Sequence, residues 1–390
     1  MKNIKKKDCC GCGACSNICS KKAITMTEDA EGFLYPKVDD NLCNRCNACL
    51  TVCPFYNPNE PKLEKSQVYC AKNTDLTQRI NSSSGGIFPI IASWALKNNY
   101  SVIGVGFDKD WLTEHQVISS ETELSRLCRS KYVQSNKKNI YSEVKMMLKD
   151  GKKVLFSGTP CECSALRLFL KKKFDNLICV DVICHGVPSP KVWNKYLIEK
   201  SASFEEHKED IIDVQFKIKD KSKGYEWRRP GFSIKWKSGK VYSTFGYKTS
   251  YENGFLGNLF VRQSCHNCKV KGISSASDIT IGDYWGCNEV KPQFEDSNGV
   301  SLVFVNTEQG HIIYSHIRDL IESQALTTQE AIYHNNRIVS SSQAHINRKK
   351  FFDNLDGNLD IVIPRMLKTS WIQKKIIRIN NIISNHFHFI

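Results

Sequence analysis

The hydrophobic and polar positions of this chain fall into two regimes. From Gln67 to about Ile183, short apolar runs alternate with helical spacing. Gln67 to Ala71 reads as a strand, Asn81 to Gly86 opens a helical stretch running to about Asn98, and Tyr100 to Phe107 is a buried strand. Glu121 to Leu127 carries helical caps and spacing. The clearest order is a helix to about Lys149, a strand Lys153 to Ser157, a turn Gly158-Thr159-Pro160-Cys161, a helix to Lys172, and a strand Leu177 to Ile183. That is a β-α-β unit, so its two strands should lie parallel. From about Ile211 to Tyr251 the period changes to short alternating strands with aromatics on one side, which predicts an antiparallel layer. Near the end, Ile372, Ile376, Ile379 and Ile383 repeat at helical spacing with Lys374, Lys375 and Arg378 between them. A helix packed on its own domain accounts for that face better than a membrane-surface contact.

The 390 residues exceed one typical core, and the 41% hydrophobic content is ordinary for a globule. No apolar run approaches the 18 or so residues of a membrane span, and the lysine-rich start lacks the apolar stretch of a signal peptide, so a cytoplasmic protein is expected. Eighteen cysteines in such a chain argue for metal or redox use rather than disulfides. The formal charge of +15 counts every cysteine as neutral. Three clusters of about −2 each would bring it to about +9. The lysines are scattered and no basic-aromatic motif accompanies them, so nucleic acid is not the expected partner. An acidic electron carrier or an anionic cofactor suits this charge better.

The cysteines supply the chemistry. Cys9, Cys12, Cys15 and Cys19 are followed, at one constant offset of 34, by Cys43, Cys46, Cys49 and Cys53. The repeated C-x2-C-x2-C-x3-C spacing lets three thiolates hold one iron-sulfur cube while the fourth reaches across to the other. One 4Fe-4S cluster is therefore assigned to Cys9, Cys12, Cys15 and Cys53, and a second to Cys43, Cys46, Cys49 and Cys19. Structural zinc prefers two separated C-x2-C pairs, which this run is not. Ser20 stands where proline follows the fourth cysteine of the second run, so only a local turn differs between the repeats.

Further along, Thr159 is a natural N-cap and Pro160 a natural first helical residue, placing Cys161 in a first turn where the helix dipole should favour its thiolate. Cys184 and His185 leave the carboxyl end of the next strand, on the same rim. Cys265 and Cys268 form a lone C-x2-C, which by itself suits zinc, redox or iron-sulfur roles. Together the four cysteines offer a third cluster site, and four buried cysteines acting as small hydrophobes are the bland alternative. Cys10, Cys70, Cys128, Cys163, Cys179 and Cys287 are expected to be of that bland kind. Ser83, Ser84, Gly85 and Gly86 at a helix start could receive an anion on backbone N–H groups, or could form a plain capped turn. The polar stretch Lys131, Tyr132, Gln134 and Ser135 reads as an exposed loop. His185 could pass a proton or hold a structural hydrogen bond.

With Ser83-Ser84-Gly85-Gly86, Ser130-Lys131-Tyr132, Gln134-Ser135, Gly158-Thr159-Pro160-Cys161, Cys184-His185-Gly186, Cys265-x2-Cys268 and Asp278 to Asp283 in place, the chain resembles the family of coenzyme F420 hydrogenase/dehydrogenase beta subunits, in the form fused to an N-terminal two-cluster ferredoxin module. The resemblance implies an α+β and α/β architecture, a small ferredoxin-like domain followed by a larger mixed α/β domain. The expected divisions are 1–58, 66–190 and 191–335 as two parts of one flavin domain, and a basic helical tail at 336–390. It also implies a third 4Fe-4S cluster on Cys161, Cys184, Cys265 and Cys268. It implies FAD, held by Ser83 to Gly86, Lys131, Tyr132, Gln134, Ser135, Gly158, Thr159 and Asp283. The function expected is an FAD and iron-sulfur oxidoreductase whose partner is coenzyme F420, a ferredoxin or another low-potential carrier. The rivals are an electron-relay subunit, including one serving polysaccharide modification, and a redox sensor without turnover.

Overall fold

The structure, a computed structural model, describes residues 1–2, 4–58, 66–273 and 275–368. Residues 59–65, between the expected first and second divisions, and the whole of the Ile372 to Ile383 face lie outside the described residues. In the head, short helices Ala14–Ile18 and Ala48–Thr51 carry the middle of each cysteine run, and β1 (Ile24–Glu28) pairs antiparallel with β2 (Leu34–Val38). The strands that follow are β3 (Gln67–Asn73), β4 (Tyr100–Phe107), β5 (Thr113–Ile118), β6 (Lys153–Gly158), β7 (Leu177–Val182), β8 (Ile211–Ile218), β9 (Gly231–Trp236), β10 (Val241–Phe245), β11 (Ile279–Asp283), β12 (Ser301–Val305) and β13 (Ile321–Leu326).

Eight of them form one sheet in the order β13-β3-β12-β11-β7-β6-β4-β5. Its centre, β4, β6, β7 and β11, is parallel, and the outer strands run antiparallel. The β-α-β expectation is met by β6, the helix Pro160–Leu170 and β7, in register from Val154 on Leu177 to Gly158 on Asp181. The 191–335 part returns to the same sheet through β11, β12 and β13, so the 66–190 and 191–335 parts share one sheet.

Strand alternation divides the core. Leu155, Ile178, Val180 and Ile279 face the helices Ile87–Lys97 and Glu308–Ile317. Val154, Phe156, Leu177 and Cys179 face the helices Ile140–Lys149 and Pro160–Leu170. Period two puts neighbours on opposite faces, so a central strand reads as continuously apolar. Between β7 and β11 the chain builds the expected antiparallel layer, β10-β9-β8. It packs on the helix Pro190–Ala202 through Trp193, Tyr196, Phe216, Phe232 and Tyr251. The described part of the tail, helices Arg348–Asp353 and Leu359–Leu367, buries Phe351, Leu359, Val362 and Ile363 in that same layer.

One expectation changes form: Glu121–Arg126 is a 3-10 helix rather than an α-helix, capped by Ser120 accepting from the Thr122 N–H. The head also proves to be no separate bead. Cys12, Ala14 and Val52 lie in the same apolar cluster as Ile103, Tyr141, Phe156 and Leu166 of the large sheet. Glu31 forms a two-pronged pair with Arg348, at 2.8 and 2.6 Å.

Candidate redox site

Parallel β6, β7 and β11 deliver their carboxyl ends to one edge, where open sheets build their sites. Cys161 begins the helix after β6, and Cys184 follows β7 by two residues. Cys265 lies in the 3-10 turn Gln263–Asn267 and Cys268 ends it. All four line one cavity together with His185, Thr159 and Phe55. Gly186 lets the chain after Cys184 press close, since a Cβ there would meet Val261 at 2.7 Å and the Cys265 Cβ at 3.2 Å.

The electrostatics suit a metal-sulfur centre. Burial, with smaller contributions from the neighbouring Cys161 and Cys268, pushes the Cys265 thiol up to about 12. Burial likewise raises Cys184, with Lys271 opposing and Cys265, Cys161 and Cys268 adding to the rise. Three of the four thiols, Cys184, Cys265 and Cys268, are raised in part by others of the set, and thiolate charge gathered there is held when a cationic centre shares it. Among the described residues no group of three or more cysteine, histidine or carboxylate side chains closes tightly enough for one metal ion. A cube of irons and sulfides spreads its thiolates wider than a single ion does. One detail reverses expectation: Cys161, placed in a first turn, is raised rather than lowered, because the hydrogen bond with Cys10 and burial outweigh the helix start.

In the head, Cys9, Cys12, Cys15 and Cys53 are buried. Cys15 is pushed up to about 12 by burial, then by Cys9, Cys53 and Cys49. In the other set, Cys19, Cys43 and Cys49 are half-buried and Cys46 is exposed. The Ala23 N–H donates to the Cys19 sulfur at 3.3 Å. One head site thus faces the body and the other faces solvent.

The residues assigned to flavin divide into three groups. Ser83, Ser84 and Gly85 are bonded by other elements: the Ser83 hydroxyl accepts from the Ser130 N–H at 2.7 Å, Ser84 donates to the Val300 carbonyl, and the Gly85 N–H donates to the Ser301 hydroxyl. A Cβ on Gly85 would meet the Ala71 carbonyl at 2.5 Å, so that glycine is required by β3 and β12. Lys131, Tyr132 and Asp283 form a second group. Lys131 is lowered to about 8 by burial and donates to the Cys128 carbonyl at 2.8 Å. Asp283 accepts from Trp227 at 2.8 Å and pairs with Lys217 at 3.2 Å. The third group serves other ends. Gln134 donates to the Cys10 carbonyl, Ser135 bonds the His115 ring at 2.8 Å, and Thr159 caps a helix through Glu162, whose carboxylate also fills the space beside Gly158.

Sequence reasoning passed over Lys217, Trp227 and Glu252, which with Trp285 complete the second group. Lys217 adopts a left-handed backbone, φ 56°, and its ammonium lies 4.6 Å over the Trp285 ring, which stacks on Trp227 at 5.2 Å. Burial opposes its charge, but Asp283, Tyr132 and Glu252 outweigh it and raise its pKa. Glu252 is raised to about 7 by burial, and its Oε1 has no hydrogen-bond partner among the described residues. From Tyr132 an aromatic path leads to the cysteine cavity: Phe255 lies 5.1 Å from Tyr132 and 5.0 Å from His185. His185 is lowered to about 4 by burial and bonds Asn258 at 2.8 Å, so it stays neutral near pH 7 and serves as a hydrogen-bonding group rather than a cation.

Behind Cys161 lies a buried charge set that the sequence did not announce. Lys137 meets Glu162 at 2.5 Å, and the His115 Nε2 lies 3.8 Å from the same carboxylate. Burial lowers His115 to about 4, with Glu162 opposing and Lys137 assisting. An unfolded histidine titrates near 6.5, so from about pH 6.5 down to 4 the unfolded chain binds the extra proton and stability falls as pH falls. Glu252 and Asp181, raised to about 7 and about 6 by burial, run the opposite way, so the variant must be compared with the parent. His115→Asn is expected to flatten the fall in melting temperature across that window. An identical slope in both proteins would refute the assignment.

Two family models match parts of the chain. Residues 151–331 match the family described as the C terminus of the coenzyme F420 hydrogenase/dehydrogenase beta subunit, and residues 8–57 match the 4Fe-4S dicluster domain. One subunit, designated F, of the F(420)H(2) dehydrogenase of Methanosarcina mazei is 23% identical over 338 residues, which cover 82% of this chain and 85% of that one. The coenzyme F420-dependent sulfite reductase of Methanocaldococcus jannaschii is 25% identical over 162 residues, 41% of this chain but only 24% of that enzyme. A chain of the F420-reducing NiFe hydrogenase complex of Methanosarcina barkeri superposes with a TM-score of 0.46 at 18% identity, covering 76% of this chain and 94% of that one.

Proposed function

For a chain that joins a 4Fe-4S dicluster domain to a C-terminal domain of the family of coenzyme F420 hydrogenase/dehydrogenase beta subunits, we propose an oxidoreductase that carries electrons in series through three iron-sulfur centres, between a flavin in the large domain and a partner at the head. The observation that carries this reading is the order of the three thiol sets. Cys161, Cys184, Cys265 and Cys268 share a cavity walled on one side by the head residues Cys10, Pro54 and Phe55. The buried head set comes next, and the set with exposed Cys46 opens to solvent.

The second group above fits a flavin best: a buried carboxylate with an orphaned oxygen, a strained lysine paired to Asp283, and stacked tryptophans. FAD, when bound, would supply the exchange between two-electron hydride chemistry and one-electron steps. Lys217, Lys131 and Tyr132 would hold and orient it, and Phe255 with His185 would bring it within reach of Cys184. Coenzyme F420 is a candidate hydride partner, since the relatives named above act on it by name. The second reading is an electron-relay subunit, favoured by the solvent-facing distal set.

Lys217→Met should lower flavin content at least tenfold while leaving iron unchanged, because Asp283 then stays buried without its partner at the point where the ring would bind. Visible spectra and iron assay of the anaerobically reconstituted protein read both. Full flavin retention in the variant, or parent protein that never takes up flavin, would overturn the placement.

A further inference from the structure

Arg262 is fully buried, yet the arginine ion pairs among the described residues belong to Arg79, Arg126, Arg167, Arg228 and Arg348 and not to it. The carboxylates of the turn between β1 and β2 are taken up elsewhere, Asp29 by Lys6 and Glu31 by Arg348. Its oxygen partners are all neutral. Nε donates to the Cys9 carbonyl at 2.7 Å, Nη1 to Gln134 Oε1 at 2.9 Å and Nη2 to the Leu34 carbonyl at 2.9 Å. Nη2 also donates to the Cys9 sulfur at 3.6 Å. The loop from Cys9 to Cys12 is shaped around this group, since Gly11 holds a left-handed φ of 70° and a Cβ there would meet the Arg262 Cζ at 2.7 Å.

A guanidinium keeps its proton in a protein, and a buried charge persists only when something supplies the opposite one. Carbonyls and an amide supply dipoles alone. A Cys9 thiolate supplies charge, and a cube on Cys9, Cys12, Cys15 and Cys53 carries about −2 in all. We propose that Arg262 is the counter-charge of this inner head cluster, a residue of the body that donates to the Cys9 sulfur and raises the potential of that cluster. This rests on the reading of Cys9 as a cluster ligand. Reduction adds one electron, delivered from a neighbouring centre with no bond made or broken, so the cluster gains one unit of negative charge. A fixed positive charge and an N–H···S bond both favour that more negative state. On the outer set, by contrast, the Cys19 sulfur receives an uncharged backbone N–H from Ala23.

The test is a redox titration of the anaerobically reconstituted full chain, followed by electron paramagnetic resonance, for the parent, Arg262→Gln, Arg262→Lys and Gln134→Ala. Signals lost in Cys46→Ala and in Cys184→Ala mark the outer and third centres, and the remaining signal is the inner one. Arg262→Gln removes the charge and keeps an amide donor. In it the ratio of reduced to oxidised inner cluster at a set potential should fall about tenfold or more, about 59 mV for one electron, while the other two centres move much less. Arg262→Lys keeps the charge and should stay near the parent. Gln134→Ala removes one partner of the same guanidinium without touching the charge, and should leave all three potentials in place. An unmoved inner potential in Arg262→Gln, or an equal shift in Arg262→Lys or Gln134→Ala, would overturn the proposal. Where Arg262→Gln does not fold, a second measurement decides: protein with nitrogen-15 in arginine alone, and Cys46→Ala to silence the outer centre, should show a nitrogen-15 coupling on the reduced inner cluster by pulsed resonance. Absence of that coupling would equally refute it. A parent whose iron count Cys12→Ala leaves unchanged would instead remove the cluster on which the proposal rests, and the two failures are distinct.

Discussion

Replacing Arg262 by methionine is expected to cost about 3–5 kcal/mol of stability, the scale seen when one partner of a buried charged network is removed. Its guanidinium donates to the Cys9 and Leu34 carbonyls and to Gln134, contacts the Cys9 sulfur at 3.6 Å, and lies 4.2 Å from the centre of the Tyr35 ring. Methionine fills part of the volume but leaves two carbonyls and an amide oxygen buried and unpaired. Out of a total stability of roughly 5–15 kcal/mol this is a large fraction, and the loss falls on the joint between head and body. Arg262→Lys should recover only part of it, since one ammonium cannot span donors that a planar fork reaches together. Denaturant midpoints at constant slope measure the cost. A loss below about 1 kcal/mol would show that the head is held by its apolar contacts alone.

Cys184→Ala and Cys46→Ala should each remove about four irons, yet with opposite side effects. Cys184 leaves the central strand β7 and shares its cavity with Cys161 from the helix after β6 and with Cys265 and Cys268 from the turn beside the antiparallel layer. A cube there ties three segments together, so its loss should lower the melting temperature by several degrees, as metal binding is also folding energy. Cys46 is exposed at the far end of the head, so its loss should leave melting nearly unchanged. Flavin reduction should survive in Cys46→Ala while transfer to an external one-electron acceptor fails. If both variants melt alike, the third centre contributes nothing to the body.

Much of this was legible in the residues because the signals were local. The 34-residue cysteine repeat, the Thr159-Pro160 helix start and the apolar runs of β4, β6 and β7 each depend on neighbours in sequence. The convergence of Cys161 and Cys184 on one edge follows from the parallel crossover alone. What stayed hidden depends on contacts across long separations. Arg262 reaches Cys9 over 253 positions, and Gln134 reaches Cys10 over 124, so a stretch that reads as an exposed loop is in fact the clamp on the head. The Ser83 to Gly86 motif looked like an anion cradle because its composition is right, but Ser301 and Val300 use its donors, and only the pairing of β3 with β12 reveals that. Lys217 sits in an alternating strand whose pattern predicts a surface lysine, and its partner Asp283 is 66 residues away. The apolar face of Ala14 and Val52, short and broken by ligands, gave no sign that the head shares a core with the sheet.

The central claim is three centres in series, and iron stoichiometry with Mössbauer spectroscopy on anaerobically reconstituted full-length protein tests it most directly. The parent should hold about twelve irons, all in 4Fe-4S form, and Cys184→Ala about eight. A parent with about eight irons that Cys184→Ala leaves unchanged would confine the clusters to the head and reduce the four cavity cysteines to core residues.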